Sequence, residues 1–153
     1  MKLPFKIIKD APPLITVSAT RTVRFEEVDP MGIVWHGCYA SYFDDARKKL
    51  GDRYGFSYAS LIQEGVKTPI KHFFADYILP LTFDESFEVF ATLYWSDAVR
   101  LNLSYEIYKP DKQLACRGYS VQLFMDSNNE LCFEFPDSVK DFRRRWQEGL
   151  IDV

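Results

Sequence analysis

The chain has 153 residues, which is enough for one domain with its own core, because domains cluster at roughly 100–150 residues. Its composition is globular, with 47% hydrophobic and 16% aromatic residues, and its net charge of −3 disfavours a general nucleic-acid or membrane-surface binder. No apolar run approaches the roughly 20 residues of a membrane-spanning helix, and the N-terminus lacks the apolar stretch of a secretion signal. Three cysteines without a C-x-x-C pair predict reduced thiols in the cytoplasm, and two distant histidines make a zinc site improbable.

Residues 1–14 form a short leader, and the first predicted strand follows it. Apolar residues fall at alternate positions from Ile15 to Phe25, which is the period of a half-buried strand. The strand is predicted to end at Asp29-Pro30-Met31-Gly32, a sequence whose residue types are typical of turns.

Two helices are predicted next. From Tyr39 to Leu50 apolar residues recur at i, i+3, i+4, i+7 and i+11, the pattern of an amphipathic helix, and Gly51 is its predicted end. Ser57 is the predicted N-cap of a shorter helix that runs through Gln63. The first of the two is therefore the principal helix.

The remainder is predicted to be mainly strand. The segment at 66–79 contains Pro69, which favours an edge position or an irregular start. Alternating apolar residues follow at 87–95, 99–107 and 115–125, separated by sequences that suit hairpins. A polar helix around 139–148 lies within a C-terminal helix and tail of residues 136–153. One helix followed by an antiparallel meander predicts an α+β domain with the helix laid across the sheet.

The segment between the first strand and the principal helix contains the candidate site. Asp29 lies a few residues before a helix whose first backbone N–H groups have no partner and carry partial positive charge. Ester or thioester hydrolysis uses a carboxylate that activates water or attacks directly, and donors for the developing oxyanion. On spacing alone, the alternative that Asp29 is only a turn residue stays open.

The run from Val23 to Arg47, VRFEEVDPMGIVWHGCYASYFDDAR, resembles the signature of the hotdog-fold acyl-CoA thioesterases of the 4-hydroxybenzoyl-CoA thioesterase type. The shared pattern is an Asp-x-x-Gly turn, an apolar triplet, an aromatic residue or histidine, and a helix with a terminal arginine. The resemblance implies a hotdog fold, in which one long helix packs against a curved antiparallel sheet of five to six strands, as a single domain over residues 1–153. It also implies a homodimer or a dimer of dimers, because the site in this family lies between two subunits.

The resemblance implies a role for each residue of this segment. Asp29 matches the catalytic carboxylate, as general base or nucleophile, and the backbone N–H of His36, with Gly37 and Cys38 as neighbouring donors, polarises the thioester carbonyl. Coenzyme A enters as part of the substrate, and no metal or redox cofactor is implied. Substrate contacts are expected at Gly32, Trp35 and Arg100, and at Thr68, Pro69 and Ile70 of the partner's strand.

Departures from the family pattern leave the substrate open. The hydroxybenzoyl-specific members have Tyr-Pro-Asn where this chain has His36-Gly37-Cys38, so the acyl group is not fixed. Arg100 is the one cation at 95–100, where some members hold coenzyme A phosphates, so an acyl carrier protein is an alternative thioester donor. The basic cluster at 143–145 could meet such a carrier, although a solvated helix face is the simpler interpretation. A non-catalytic dimer that binds acyl thioesters is the third hypothesis.

Four side chains have an alternative interpretation. The His36 imidazole could act as an acid or base, and Cys38 could be a nucleophile, although a buried, inert thiol is the commoner case. Asp44 and Asp45 lie on the principal helix, where a second group of hotdog thioesterases has its carboxylate. Exposed salt bridges from Asp45 to the lysines three and four residues on are the simpler prediction.

Overall fold

Five strands and three helices make up the computed structural model, which describes residues 1–153. The strands are β1 Ile15–Thr22, β2 Ile70–Tyr77, β3 Ser86–Tyr94, β4 Arg100–Tyr108 and β5 Leu114–Leu123. The helices are α1 Tyr39–Tyr54, α2 Tyr58–Gln63 and α3 Asp137–Gln147, and a single 3-10 turn, His36–Cys38, precedes α1. All strand pairs are antiparallel, in the order β1-β3-β4-β5-β2. The predicted α+β architecture, with one long helix and five strands, is confirmed.

Helix α1 packs across one face of the sheet through its aromatic side chains. Phe43 stacks on Tyr105 of β4, with ring centroids 4.5 Å apart, and the ring of Tyr42 lies 4.7 Å from that of Phe87 on β3. All four rings are buried, and burying a phenylalanine side chain stabilises the fold by about 1.5–3 kcal/mol. Gly118 of β5 permits this approach, because a Cβ there would overlap the Phe43 ring. The packing fixes where the start of α1 lies.

Helix α1 runs one turn further than predicted, because it ends at Tyr54 and not at Gly51. Gly55 has a φ of 87°, the left-handed conformation that commonly follows a helix, and its N–H donates to the Gly51 carbonyl (3.0 Å). Gly51 is buried within the helix, where a Cβ would lie 2.8 Å from both the Phe56 carbonyl oxygen and the Arg47 guanidinium. Gly51 therefore permits a close approach of two segments.

Helix α2 begins where the sequence predicts. The Ser57 hydroxyl accepts a hydrogen bond from the Ser60 N–H (3.1 Å), so the predicted N-cap is confirmed. Gly65, two residues beyond the last helical residue, has a φ of 73°.

Strand β1 ends earlier than the alternation predicts. It pairs with β3 as far as Thr22, opposite Ser86, and the backbone pairing ends at Val23, whose N–H donates to the Glu85 carbonyl (3.0 Å). Phe25, predicted to be part of the strand, has 80% of its surface exposed, and Phe25–Glu27 forms a 3-10 turn. The connection from β1 to α1 is therefore longer than expected.

Strand β2 forms one edge of the sheet, as Pro69 predicts. It pairs with β5 alone, with a register shift between Ile70 and His72. The exposed apolar side chains of this strand are Ile70, Phe73, Phe74 and Tyr77. An edge strand with unpaired backbone groups and exposed rings is a template for pairing with another chain.

The leader, residues 1–14, packs against the domain. Phe5 is buried, and its ring lies 5.2 Å from that of Tyr94, on the face of β3 opposite to α1. At the end of the leader, the Pro13 carbonyl accepts a hydrogen bond from the Trp146 indole of α3 (2.8 Å). None of the helices combines the length and apolar character that crossing a bilayer requires.

Candidate functional site

Asp29 lies in the turn that leads to α1, and backbone hydrogen bonds close this turn. The Asp29 N–H donates to the Ile33 carbonyl, and the Gly32 N–H donates to the Asp29 carbonyl, each at 2.9 Å. Gly32 has a φ of 78°, which a residue with a Cβ adopts only with strain. The half-buried Asp29 carboxylate accepts the Met31 N–H at Oδ1 (2.8 Å), and its other oxygen has no hydrogen-bond partner in the chain. The turn thus orients the carboxylate and leaves one oxygen free.

The 3-10 turn before α1 starts the helix without a side-chain cap. The Cys38 N–H donates to the Trp35 carbonyl (2.9 Å), whereas the N–H groups of His36 and Gly37 have no acceptor in the chain. Cys38 is therefore not a free donor, and two of the three expected donors remain. Unpaired N–H groups at a helix start, with the positive end of the helix dipole behind them, attract an anion.

Asp29 and the helix start line the same mainly apolar cleft, which has a volume of about 360 Å³. Its lining includes Asp29, Ile33, His36, Tyr39, Tyr77 and Leu79. The Tyr77 hydroxyl donates to the His36 carbonyl (3.0 Å), so that edge strand β2 is tied to the helix start. Of the two residues with a free N–H, His36 lines this cleft and Gly37 follows it directly. A carboxylate and free amides are the groups that the transfer of an acyl group to water needs.

Sequence reasoning missed a buried carboxylate two residues before Asp29. Glu27 has 7% of its surface exposed and accepts hydrogen bonds from Arg21 (2.7 Å), the Tyr42 hydroxyl (2.9 Å) and the Arg24 N–H (2.9 Å). The Glu27 carbonyl accepts the Trp35 N–H (2.9 Å), which brings the helix start close. One signal was available, because Glu27 falls at an apolar position of the alternation that begins at Ile15.

Arg21 joins this carboxylate to α1. Its guanidinium pairs with both Glu27 and Asp45, and it lies 4.8 Å from the centre of the Tyr42 ring. Burial alone would raise the pKa of Glu27, but the hydrogen bonds from Arg24 and Tyr42 and the charge of Arg21 hold this pKa below its usual value. Glu27 is therefore ionised near neutral pH, and its contacts connect β1, the turn and α1.

The two alternative carboxylates on α1 have other partners. Asp45 pairs with Arg21, and Asp44 accepts a hydrogen bond from the Tyr58 hydroxyl. The predicted salt bridges from Asp45 to lysines on the same helix were wrong, because the packing of α1 on β1 brings Arg21 closer. Neither carboxylate lines the Asp29 cleft.

The geometry also disfavours Cys38 as a nucleophile. Its thiol donates to the Glu27 carbonyl (3.8 Å). Burial, and then the negative charge of Glu27, raise the pKa of the Cys38 thiol above its usual value. A thiol of raised pKa supplies little thiolate near neutral pH, and the thiolate is the reactive form.

The basic cluster at 143–145 makes contacts within its own chain. Arg144 and Arg145 both pair with Asp141 on α3. The Arg143 guanidinium lies 3.7 Å from the centre of the Trp95 ring. The salt bridges of Arg144 and Arg145 agree with the simpler interpretation, a solvated face of α3, whereas Arg143 packs against the domain.

Within one chain, the residues predicted to contact substrate lie at two separate places. Trp35 is half exposed, with its ring 5.1 Å from that of His36, and it lies so close over Gly37 that a Cβ there would overlap it. Thr68–Ile70 lies at the other end of β2, where Ile70 lines a second cleft of about 340 Å³ between α1 and strands β2 and β5. Arg100 begins β4 at that same end of the sheet. The residues that the chain brings together are Asp29, Gly32, Trp35, His36, Gly37 and Cys38.

Known proteins share this sequence pattern. The sequence model of the thioesterase-like superfamily matches residues 23–142. A protein of Aquifex aeolicus, provisionally named an esterase, is 33% identical over 95 residues, which cover 62% of this chain and 74% of that protein. Bacillus subtilis YneP, provisionally named an acyl-CoA thioesterase, is 25% identical over 127 residues, 83% of this chain and 92% of the relative.

A solved structure shares the fold. The DHNA-CoA thioesterase of Staphylococcus aureus matches with a TM-score of 0.77 and 24% identity, over 90% of this chain and 97% of that one. The predicted hotdog fold is thereby confirmed. Because the matched range contains the Asp29 turn, α1 and every strand except β1, the chain belongs to the thioesterase-like superfamily.

Proposed function

We propose that this chain hydrolyses acyl-CoA thioesters to a free acid and coenzyme A. The observation that carries the proposal is that Asp29 and His36, whose N–H is free, line one cleft, with a second free N–H on the adjacent Gly37. The names of the relatives support the same reaction, since YneP is named for acyl-CoA and the Staphylococcus aureus protein for DHNA-CoA.

Asp29 acts in one of two ways. As a general base it takes a proton from a water molecule that attacks the thioester carbonyl carbon. As a nucleophile its own oxygen attacks that carbon and forms a mixed anhydride, which water then hydrolyses. In both routes the carbonyl oxygen becomes negative and accepts hydrogen bonds from His36 and Gly37, and the C–S bond breaks as coenzyme A leaves. Protein groups supply every step, so the proposal includes no metal or redox cofactor.

The proposed active form is a homodimer, or a dimer of dimers, joined through β2. Two copies of β2 paired antiparallel place the start of one strand beside the end of the other. Thr68–Ile70 of a second copy then lies beside Tyr77, and the cleft that Ile70 lines continues the Asp29 cleft as an acyl pocket. The same pairing covers the exposed rings of Phe73 and Phe74.

The test is release of free thiol from a panel of acyl-CoA thioesters by the wild type and by Asp29→Asn. A general base contributes roughly 100-fold to 10,000-fold, so we expect kcat/KM to fall at least about 100-fold. Asp111→Asn is a matched control, because Asp111 also accepts the N–H of the residue two positions on, Gln113 (3.1 Å), but in the turn between β4 and β5. Equal turnover by wild type and Asp29→Asn would remove Asp29 from the mechanism.

The same assay separates the alternatives. The same acyl group is presented on coenzyme A and on an acyl carrier protein, and a higher kcat/KM on the carrier protein would replace coenzyme A as the substrate's carrier. Mass spectrometry of the bound thioester addresses the non-catalytic hypothesis. A thioester that stays intact on the wild type for hours would contradict hydrolysis as the function.

A further inference from the structure

Tyr77 lines the Asp29 cleft, and the hydrolysis proposed above gives it no role. It is the last residue of β2, where it pairs with Cys116 of β5. Its ring lies edge-on to that of Tyr39 on α1, with the ring centroids 4.9 Å apart, and its hydroxyl donates to the His36 carbonyl (3.0 Å). The strand and the ring contact therefore bring a side-chain donor to the backbone of the helix start.

The carbonyl that Tyr77 contacts belongs to the same peptide group as the free N–H of Gly37. A peptide group joins the carbonyl of one residue to the N–H of the next, and in the trans form the two bonds point in opposite directions. A hydrogen bond from Tyr77 to the His36 carbonyl therefore leaves the Gly37 N–H pointing away from Tyr77. Holding the carbonyl in this way also fixes the direction of the N–H.

The other free N–H is held by a similar contact within the backbone. The N–H of His36 shares its peptide group with the Trp35 carbonyl, which accepts the Cys38 N–H (2.9 Å). Each free N–H thus belongs to a peptide group whose carbonyl accepts a hydrogen bond, one from the 3-10 turn and one from the edge strand. The second peptide group has more rotational freedom of its own, because Gly37 lacks a Cβ. A donor from outside the turn restricts that freedom.

The same hydrogen bond strengthens Gly37 as a donor. Hydrogen bonds in a chain polarise one another, by about 10–30% for each bond. A carbonyl that accepts a hydrogen bond draws electron density from its peptide nitrogen, so the N–H of that peptide group becomes more positive. Burial raises the pKa of Tyr77 above its usual value, so the hydroxyl stays protonated and remains a donor near neutral pH.

We infer that Tyr77 is a positioning residue for the proposed hydrolysis, because its hydroxyl holds the peptide group between His36 and Gly37 and so keeps the Gly37 N–H in place for the oxyanion. The inference rests on the proposed function, in which this N–H stabilises the negative oxygen. The Tyr77 hydroxyl is already bonded to His36, so Tyr77 acts through the backbone and not on the reacting atoms. Its contribution therefore belongs to kcat and not to the binding of substrate.

The test compares Tyr77→Phe with wild type in the thiol-release assay. The variant keeps the ring that packs on Tyr39 and loses only the hydroxyl. We expect kcat to fall about 5-fold to 30-fold, less than the roughly 100-fold to 1,000-fold cost of losing an oxyanion donor outright, and KM to stay within about twofold.

Tyr54→Phe is the matched control. The Tyr54 hydroxyl also donates to a backbone carbonyl, that of Asp152 (2.7 Å), but at the other end of α1 and outside the Asp29 cleft. Its removal should leave kcat unchanged. An unchanged kcat in Tyr77→Phe, an equal fall in both variants, or a rise in KM without a fall in kcat would overturn the inference.

Nuclear magnetic resonance examines the Tyr77 contact without the reaction. The amide nitrogen shift of a residue responds to a hydrogen bond at the preceding carbonyl, so the Gly37 signal should move in Tyr77→Phe and stay in place in Tyr54→Phe. A Gly37 signal that does not move in Tyr77→Phe would contradict the contact on which the inference depends. A wild type that releases no thiol, together with a Gly37 signal that moves, would contradict the proposed function and leave the hold of Tyr77 on the peptide group supported.

Discussion

Helices α1 and α2 are neighbours in the chain, and they begin differently. At α2 the Ser57 hydroxyl accepts an N–H of the first turn, as helix starts in proteins commonly require. At α1 no side chain does so, and the N–H groups of His36 and Gly37 are free. The start of α1 is instead held from outside by Glu27, whose carbonyl accepts the Trp35 N–H and whose carboxylate accepts the Tyr42 hydroxyl.

The difference separates two ways of fixing a helix start. A cap satisfies the N–H groups and stabilises the helix, but it also occupies the donors. The Glu27 contacts position the start of α1 and leave the N–H groups of His36 and Gly37 free, and His36 lines the cleft that also contains Asp29. The following substitutions test whether those donors are kept free for a reaction.

The largest effect is expected from removing one free donor. His36→Pro deletes the N–H of residue 36, and Trp35, with φ −59° and ψ 133°, already has the extended conformation that a following proline favours. Loss of one oxyanion donor typically lowers kcat by about 100-fold to 1,000-fold, or about 2.7–4 kcal/mol. His36→Ala keeps the N–H and should stay within a few fold of wild type in the thiol-release assay. An equal loss in both variants would assign the effect to the imidazole.

A smaller effect is expected from weakening the external support. Glu27→Gln removes the negative charge that faces Arg21, although Arg21 keeps Asp45, so we expect unfolding in urea to show a loss of about 1–3 kcal/mol. The kcat should fall as well, because the position of α1 relative to Asp29 depends on Glu27. Glu26→Gln, an exposed neighbour, is the control and should change neither quantity.

The unfolding free energies of wild type and Glu27→Gln should depend on pH to different extents. The folded-state pKa of Glu27 is lowered, so its contribution to stability is present above the unfolded value of about 4.3 and is lost as pH falls through the folded value. Between neutral pH and acid, wild type should therefore lose more unfolding free energy than Glu27→Gln. Parallel curves for the two proteins would contradict an ionised, stabilising Glu27.

Adding a side-chain cap before α1 should raise the stability of the fold and lower the activity. Trp35 occupies the N-cap position of the 3-10 turn that precedes α1, so Trp35→Ser places a hydroxyl where it can accept the Gly37 N–H. Compared with Trp35→Ala, which loses the same indole, the serine variant should be more stable by about 0.5–2 kcal/mol and should have a lower kcat. A serine variant as active as the alanine variant would show that Gly37 is not a donor in the reaction.

The smallest effect is expected at α2. Ser57→Ala removes the cap of α2, which does not line the Asp29 cleft. Thermal or urea unfolding should therefore show a loss of about 1 kcal/mol in the free energy of unfolding. Activity should stay within about twofold of wild type. A large loss of activity would contradict the distinction between the two helix starts.

The features that could be predicted from the sequence have local signals. The strands follow from alternation, α1 from its 3.6-residue period, and α2 from Ser57. The Asp29 turn and the helix start lie within ten residues of each other, so they were identified together as a candidate site. Gly51 and Gly55 are both suitable residues for the end of a helix. The close approach of the Phe56 backbone to Gly51, which places Gly51 within α1, has no signal in the sequence.

The features that were missed depend on partners from separate segments. The Glu27 carboxylate accepts hydrogen bonds from a strand residue, Arg21, and from a helix residue, Tyr42. The alternation places Glu27 at a buried position, but it does not show which partners pair with the carboxylate. Lys6 and Lys9 line the same cleft as Arg100 only because the leader folds back over the connection between β3 and β4. In both cases the sheet decides which distant side chains meet.

The Tyr77 hydroxyl, which donates to the His36 carbonyl at 3.0 Å, makes edge strand β2 a direct neighbour of the free amides. In the dimer proposed above, the association through β2 that buries this edge would also set the environment of the helix start. Activity would then belong to the pair of chains, whose concentration at low abundance rises with the square of the chain concentration. That proposal therefore implies that the activity per chain falls when the protein is diluted.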